Sequence, residues 1–141
     1  MKAANCGGVM AVAARLPAQG LVGSGPNNLP RGRPTSDIPA LDATAQADLI
    51  RTGQASAAEL VGAAVERANA VNGDLNAIIH ERYADAQAGA AGPLGDGPFA
   101  GVPFVLKDLD GTAAGQPLHA GTKFLKDHGY VATTDSELTT R

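Results

Sequence analysis

The sequence predicts an α/β architecture, with helices and strands packed in layers, on three observations. A long amphipathic helix with a capping signature begins at Ser56; a run of β-forming residues, "FAGVPFVLKDL", follows a loop rich in Gly and Pro; and alanine and glycine abound while aromatics make up only 4% of the chain. Small side chains suit close packing of helices on a sheet, and an apolar run without alternation has the pattern of a strand covered on both faces. The 141 residues suffice for one domain. The absence of tryptophan and the scarcity of large side chains nevertheless point to a portion of a larger sheet-and-helix layer.

Two chemically distinct segments are expected. Residues 1–36 carry four bases and no acid, whereas residues 37–141 carry seven bases and fourteen acids. Residues 1–38, with the punctuation of "GLVGSGPNNLPRGRPTSD" and little periodic apolar pattern, read as a disordered or loosely attached leader. The stretch "VMAVAARLPAQG" hints at a targeting peptide, but Lys2 is a thin positive region and Arg15 interrupts the apolar run. Cys6 cannot form an internal disulfide, being the single cysteine, and reads as a bland thiol.

Residues 39–141 form the ordered unit. "LDATAQADLIRTGQ" offers Asp42 or Thr44 as a helix cap and Gly53 as a stop. "SAAELVGAAVERANAVNGDLNAI" opens with Ser56 and places Glu59 three residues on, the spacing at which the two side chains satisfy each other's orphan amides. Val61, Ala64, Val65 and Ala68 recur at helical spacing beside Leu60, and Asn72 with Gly73 supplies a stop. "LNAIIH" is a short extended segment, "ERYADAQAGAA" a further helix, and "GPLGDGP" a surface loop. In "FAGVPFVLKDL" the early Pro103 stands at the strand entrance, where no ladder amide is lost. In "TTDSEL", Thr134 or Asp135 caps a helix beginning near Ser136.

Lys107 stands at the carboxyl end of that strand, where open α/β sheets place their active sites. A lysine leaving a doubly covered strand either bends out to water or is buried with partners. Burial lowers its pKa and yields the neutral amine that accepts a proton.

These pieces, in this order, resemble the amidase signature family. "AELVGAAVERANAVNGDLNAI" is similar to that family's N-terminal helix and Leu-Asn-Ala segment, and "PFAGVPFVLKDL" to its Gly-Val-Pro strand ending in Lys-Asp. "GTAAGQPLHAGTKFLKDHGYVATTDSEL" resembles the family's stretch beyond that strand, with Ala-Gly-Thr replacing the more usual Ala-Gly-Ser. The resemblance spans about residues 39–138. It implies a large mixed sheet covered by helices, of which residues 39–141 supply the N-terminal part. It also implies hydrolysis of a small-molecule amide through a Ser, cis-Ser, Lys arrangement, in which Lys107 matches the lysine. Asp108 is expected to orient the turn after the strand. No cofactor is implied; a cytoplasmic enzyme is expected, and homodimerisation is compatible with the resemblance.

The family's two serines lie in a Gly-Ser-Ser segment downstream of the lysine, and the chain reaches Arg141 without one. Ser136 belongs to a helix start, Ser56 to a cap, and Ser24 and Ser36 to the leader and its end. The expectation is therefore an N-terminal fragment, inactive alone. Two other readings stand beside it. One is an amidotransferase subunit of the same family, disfavoured by Leu109 where that branch commonly shows Asn; the other is a non-catalytic interaction remnant.

Other chemistry finds less support. No apolar run approaches the roughly 20 residues that span a bilayer, and the acid-rich body lacks the basic stripe that nucleic acid requires. His80, His119 and His128 show no metal-ligand spacing, so no metal site is expected. His119, in "GQPLHAGT", reads as a loop-surface residue that could alternatively face a substrate cleft.

Overall fold

The computed structural model describes the backbone of residues 9–13 and the whole of residues 40–140. Three strands form a mixed sheet in the order β2-β1-β3, where β1 is Val9–Ala13, β2 is Ile78–His80 and β3 is Pro103–Lys107. β1 runs parallel to β2 and antiparallel to β3, pairing Val9 with Lys107 and Ala13 with Pro103. The central strand thus comes from the segment expected to be a loose leader. The apolar, partly β-branched "VMAVA" serves as the strand that both neighbours require; the rest of that segment, residues 1–8 and 14–38, lies outside the described residues.

The first helix, α1, spans Ala43–Arg51; the Asp42 carboxylate accepts the Ala45 N–H at 2.8 Å, and Gly53 takes a left-handed φ of 67° beyond the end. The second, α2, spans Ala57–Leu75, and its predicted capping box is present in both directions. The Ser56 N–H donates to Glu59 at 2.8 Å and the Glu59 N–H to the Ser56 hydroxyl at 3.2 Å. The predicted stop at Asn72 and Gly73 is overrun by one turn, because Asn76 takes the left-handed position at φ 47°. Asn72 has another task. Its amide donates to the Ile78 carbonyl at 3.0 Å and accepts the Ile78 N–H at 2.8 Å, acting as a surrogate strand for the start of β2.

Leu60 and Val61 are fully buried, and Leu60 joins Leu49 and Ala55 in a core bordered by Leu41, Ile50 and Ala63. The third helix, α3 (Tyr83–Ala91), packs on α2 and β1, and α2 also meets β3. Gly101 carries the chain over this core into β3. It has a φ of 82°, and a Cβ there would lie 2.8 Å from that of Ala57 at the start of α2. Physical constraints therefore account for both ends of Gly-Val-Pro: a glycine where backbone meets helix, and a proline at the strand entrance.

β3 is not covered on both faces. Phe104 is 40% exposed and Val105 56% exposed, while Leu106 is buried. It is an edge strand, and unalternating apolarity does not reveal which layers meet it. Beyond β3 the chain makes a paired ribbon that no local sequence pattern marks. Gly115 N–H donates to the Ala132 carbonyl, Ala132 N–H to Gln116, and Leu118 N–H to Tyr130, at 2.8, 2.9 and 3.1 Å. Between the ribbon's arms lies the short helix α4 (Lys123–Asp127), and α5 (Glu137–Thr140) lies beyond them. Asp135 does not cap α5; its carboxylate accepts the Ala114 N–H at 2.7 Å and clasps the base of the ribbon.

Candidate active site

The alternation of a strand decides what the end of β3 presents. Leu106 points inward, Lys107 outward and Asp108 inward again, so the Lys-Asp pair separates into a solvent-facing amine and a buried carboxylate. Lys107 is exposed, so of the two alternatives for a lysine leaving this strand it takes the one that reaches water; its segment is extended, as expected. The uncovered edge of β3 is the physical reason, because no described layer desolvates it. The turn after the strand is tight. The Gly111 N–H approaches the Lys107 carbonyl at 3.4 Å, and a Cβ at Gly111 would lie 2.4 Å from the Leu106 side chain.

Asp108 is 5% exposed and ties two loops together. Its two carboxylate oxygens accept the His119 N–H at 3.0 and 3.2 Å, anchoring the ribbon to the end of β3. His119 opens a tight turn closed by the Thr122 N–H and hydroxyl, which donate to its carbonyl at 2.8 and 3.0 Å. Inside this turn Ala120 and Gly121 both take left-handed φ values, 47° and 66°. For Ala120 that conformation is strained.

His80, the last residue of β2, completes the group. Its ring meets that of His119 edge-on with centroids 4.3 Å apart, and its Nε2 lies 3.9 Å from an Asp108 oxygen. That buried Nε2 has no hydrogen-bond partner among the described residues. Burial lowers the His80 pKa most, aided by the neighbouring His119, while the Asp108 carboxylate opposes the shift and Lys126 adds to it. One donor atom from each of His80, Asp108 and His119 lies within 4.8 Å of the others. Sequence spacing gave no sign of this, since the three residues come from β2, the turn after β3 and the ribbon.

Other candidates have local explanations. His128 bonds the Phe124 carbonyl through Nδ1 at 2.8 Å and packs on the Phe124 ring, away from the other two histidines. Ser56 is the α2 cap, and the Ser136 hydroxyl meets that of Thr139 at 2.9 Å. Cys6, Ser24 and Ser36 lie outside the described residues. A groove of about 430 Å³ runs between α2, α3 and the start of β3, lined by Val65, Ala68, Tyr83 and Phe104 among others, and it does not include Lys107. Among the described residues no helix is long and apolar enough to cross a membrane.

The same stretch of sequence recurs in known proteins. The chain is 41% identical over 95 residues to the 6-aminohexanoate-cyclic-dimer hydrolases of Pseudomonas sp. (strain NK87) and Paenarthrobacter ureafaciens, covering 67% of this chain and 19% of each relative. It is 35% identical over 115 residues to the A subunit of the glutamyl-tRNA(Gln) amidotransferase of Salinispora arenicola, covering 75% of this chain and 22% of that protein. The chain thus spans about a fifth of the length of these curated relatives. No solved structure matches it. The family model for amidases matches residues 59–141, the stretch that runs from the capping box through Lys107 and the ribbon, and the chain belongs to the amidase family.

Proposed function

We propose that this chain supplies the general base of an amide hydrolase, with Lys107 as the base and residues 39–141 as the N-terminal part of the amidase signature fold. The observation that carries this is the position of Lys107, the last residue of β3, on a strand end held by the buried Asp108. A serine hydroxyl attacks an amide carbonyl effectively only as a base removes its proton. A neutral lysine takes that proton through a second serine, and the proton passes to the leaving amine as the C–N bond breaks. Backbone N–H groups stabilise the oxyanion. The neutral amine requires a dry setting, so the serine-bearing part of the enzyme packs over Val105 and Lys107. The 141 residues contain no Gly-Ser-Ser run, and on their own they turn over no amide. Leu109 and the higher identity to the hydrolases favour hydrolysis over amidotransfer.

The test is a chimaera in which residues 59–141 replace the matching segment of the Pseudomonas hydrolase. Lys107→Arg, which keeps the charge but cannot release a proton, is expected to lower turnover by about 10²–10⁴-fold at an unchanged melting temperature. Full activity in that variant, or robust Lys107-dependent turnover by the 141-residue chain alone, overturns the assignment.

A further inference from the structure

We propose that His80, Asp108 and His119 form a binding site for a borderline transition-metal ion of the Zn²⁺ class. Two imidazoles and one carboxylate are a donor set for zinc, with water completing a four-coordinate shell. Neighbouring donors of a tetrahedral zinc centre lie about 3.3 Å apart, given metal–ligand bonds of roughly 2.0–2.2 Å. The His80 Nε2–Asp108 separation of 3.9 Å must close by about half an ångström for this geometry. The donor atoms all lie within 4.8 Å of one another, so no pair has to close by more than about 1.5 Å. Rotation of the half-buried His119 ring supplies movement of that size.

Three further features favour an ion over a purely hydrogen-bonded cluster. First, the buried His80 Nε2 has no hydrogen-bond partner among the described residues, and a metal ion accepts the lone pair of a neutral imidazole nitrogen where no donor hydrogen is at hand. Second, among the described residues the Asp108 carboxylate accepts only the His119 N–H, which leaves lone pairs on both oxygens while fixing its orientation. Third, the strained turn at Ala120 holds His119 against His80, and such strain marks positions where the surroundings impose a conformation. The site is independent of whether Lys107 is catalytic. It would staple the end of β2, the end of β3 and the ribbon with one ion.

The test titrates ZnCl₂ into the 141-residue chain by calorimetry, with the visible bands of bound Co²⁺ reporting coordination. All proteins carry Cys6→Ser, because a free thiolate competes for zinc. One equivalent of ion is expected to bind and to raise the melting temperature. His80→Gln and His119→Gln should each weaken binding by at least about tenfold, and His128→Gln should leave it unchanged. Absence of stoichiometric binding overturns the proposal, as does binding that is indifferent to both His80→Gln and His119→Gln. If His80→Gln fails to fold, the half-buried His119 decides the outcome.

Discussion

At the scale of single residues, Asp108 and Gly101 carry more of the structure than their size suggests. Asp108 is the buried acceptor for the His119 N–H. Asp108→Ala leaves that donor unpaired and is expected to cost about 1–3 kcal/mol in chemical denaturation. Gly101→Ala combines a left-handed backbone with a Cβ 2.8 Å from that of Ala57, and a comparable loss of about 1–3 kcal/mol is expected. Ser56→Ala should cost about 1 kcal/mol through loss of the cap. Glu59 adds a pH dependence to the same cap. Hydrogen bonds from the Ser56 backbone and side chain lower its pKa, so folding favours the ionised form. Its contribution is present at neutral pH and is lost as the pH falls through the lowered value. Urea titrations of Glu59→Gln should therefore show a shallower loss of stability on acidification than the parent chain. The pairs Asp48–Arg51, Arg82–Asp85 and Lys123–Asp127 contribute little, each having at least one well-exposed member and spanning one helical turn.

At the scale of elements, legibility followed the range of the interactions. α2 was readable because its start depends on residues three apart and its buried stripe on helical periodicity. Its end was misplaced by one turn because Asn72 and Asn76 are equally good stop signals locally. Only the docking of Asn72 onto Ile78 distinguishes them. Asn72→Ala is accordingly expected to loosen β2 and not α2, seen as faster amide exchange at Ile78 with unchanged helix content by circular dichroism. The place of β3 is legible, with Pro103 first and Lys107 last, and its covering is not. The ribbon is not legible in sequence because its rungs join residues such as Gly115 and Ala132, whose local sequence is only turn-like.

At the scale of the whole molecule, β1 lies between β2 and β3, so the sheet depends on residues distant in sequence from both. Removing residues 1–13 takes away the strand that both neighbours pair with. That deletion should abolish any cooperative thermal transition while leaving much of the α2 helicity. Even the full chain has an uncovered β3 and exposed Phe104 and Val105, so marginal stability is expected. A sharp, cooperative melt well above room temperature would contradict it. The starts of α1 and α2, the Gly-Val-Pro approach and the placement of Lys107 at a strand end were determined by sequence alone, because each rests on backbone preferences and side chains a few residues apart. Tertiary structure decided that Val9–Ala13 is a central strand, that Lys107 faces solvent while Asp108 is buried, and that His80 meets His119. Those outcomes depend on which surfaces meet in space, and local residue order does not specify such meetings.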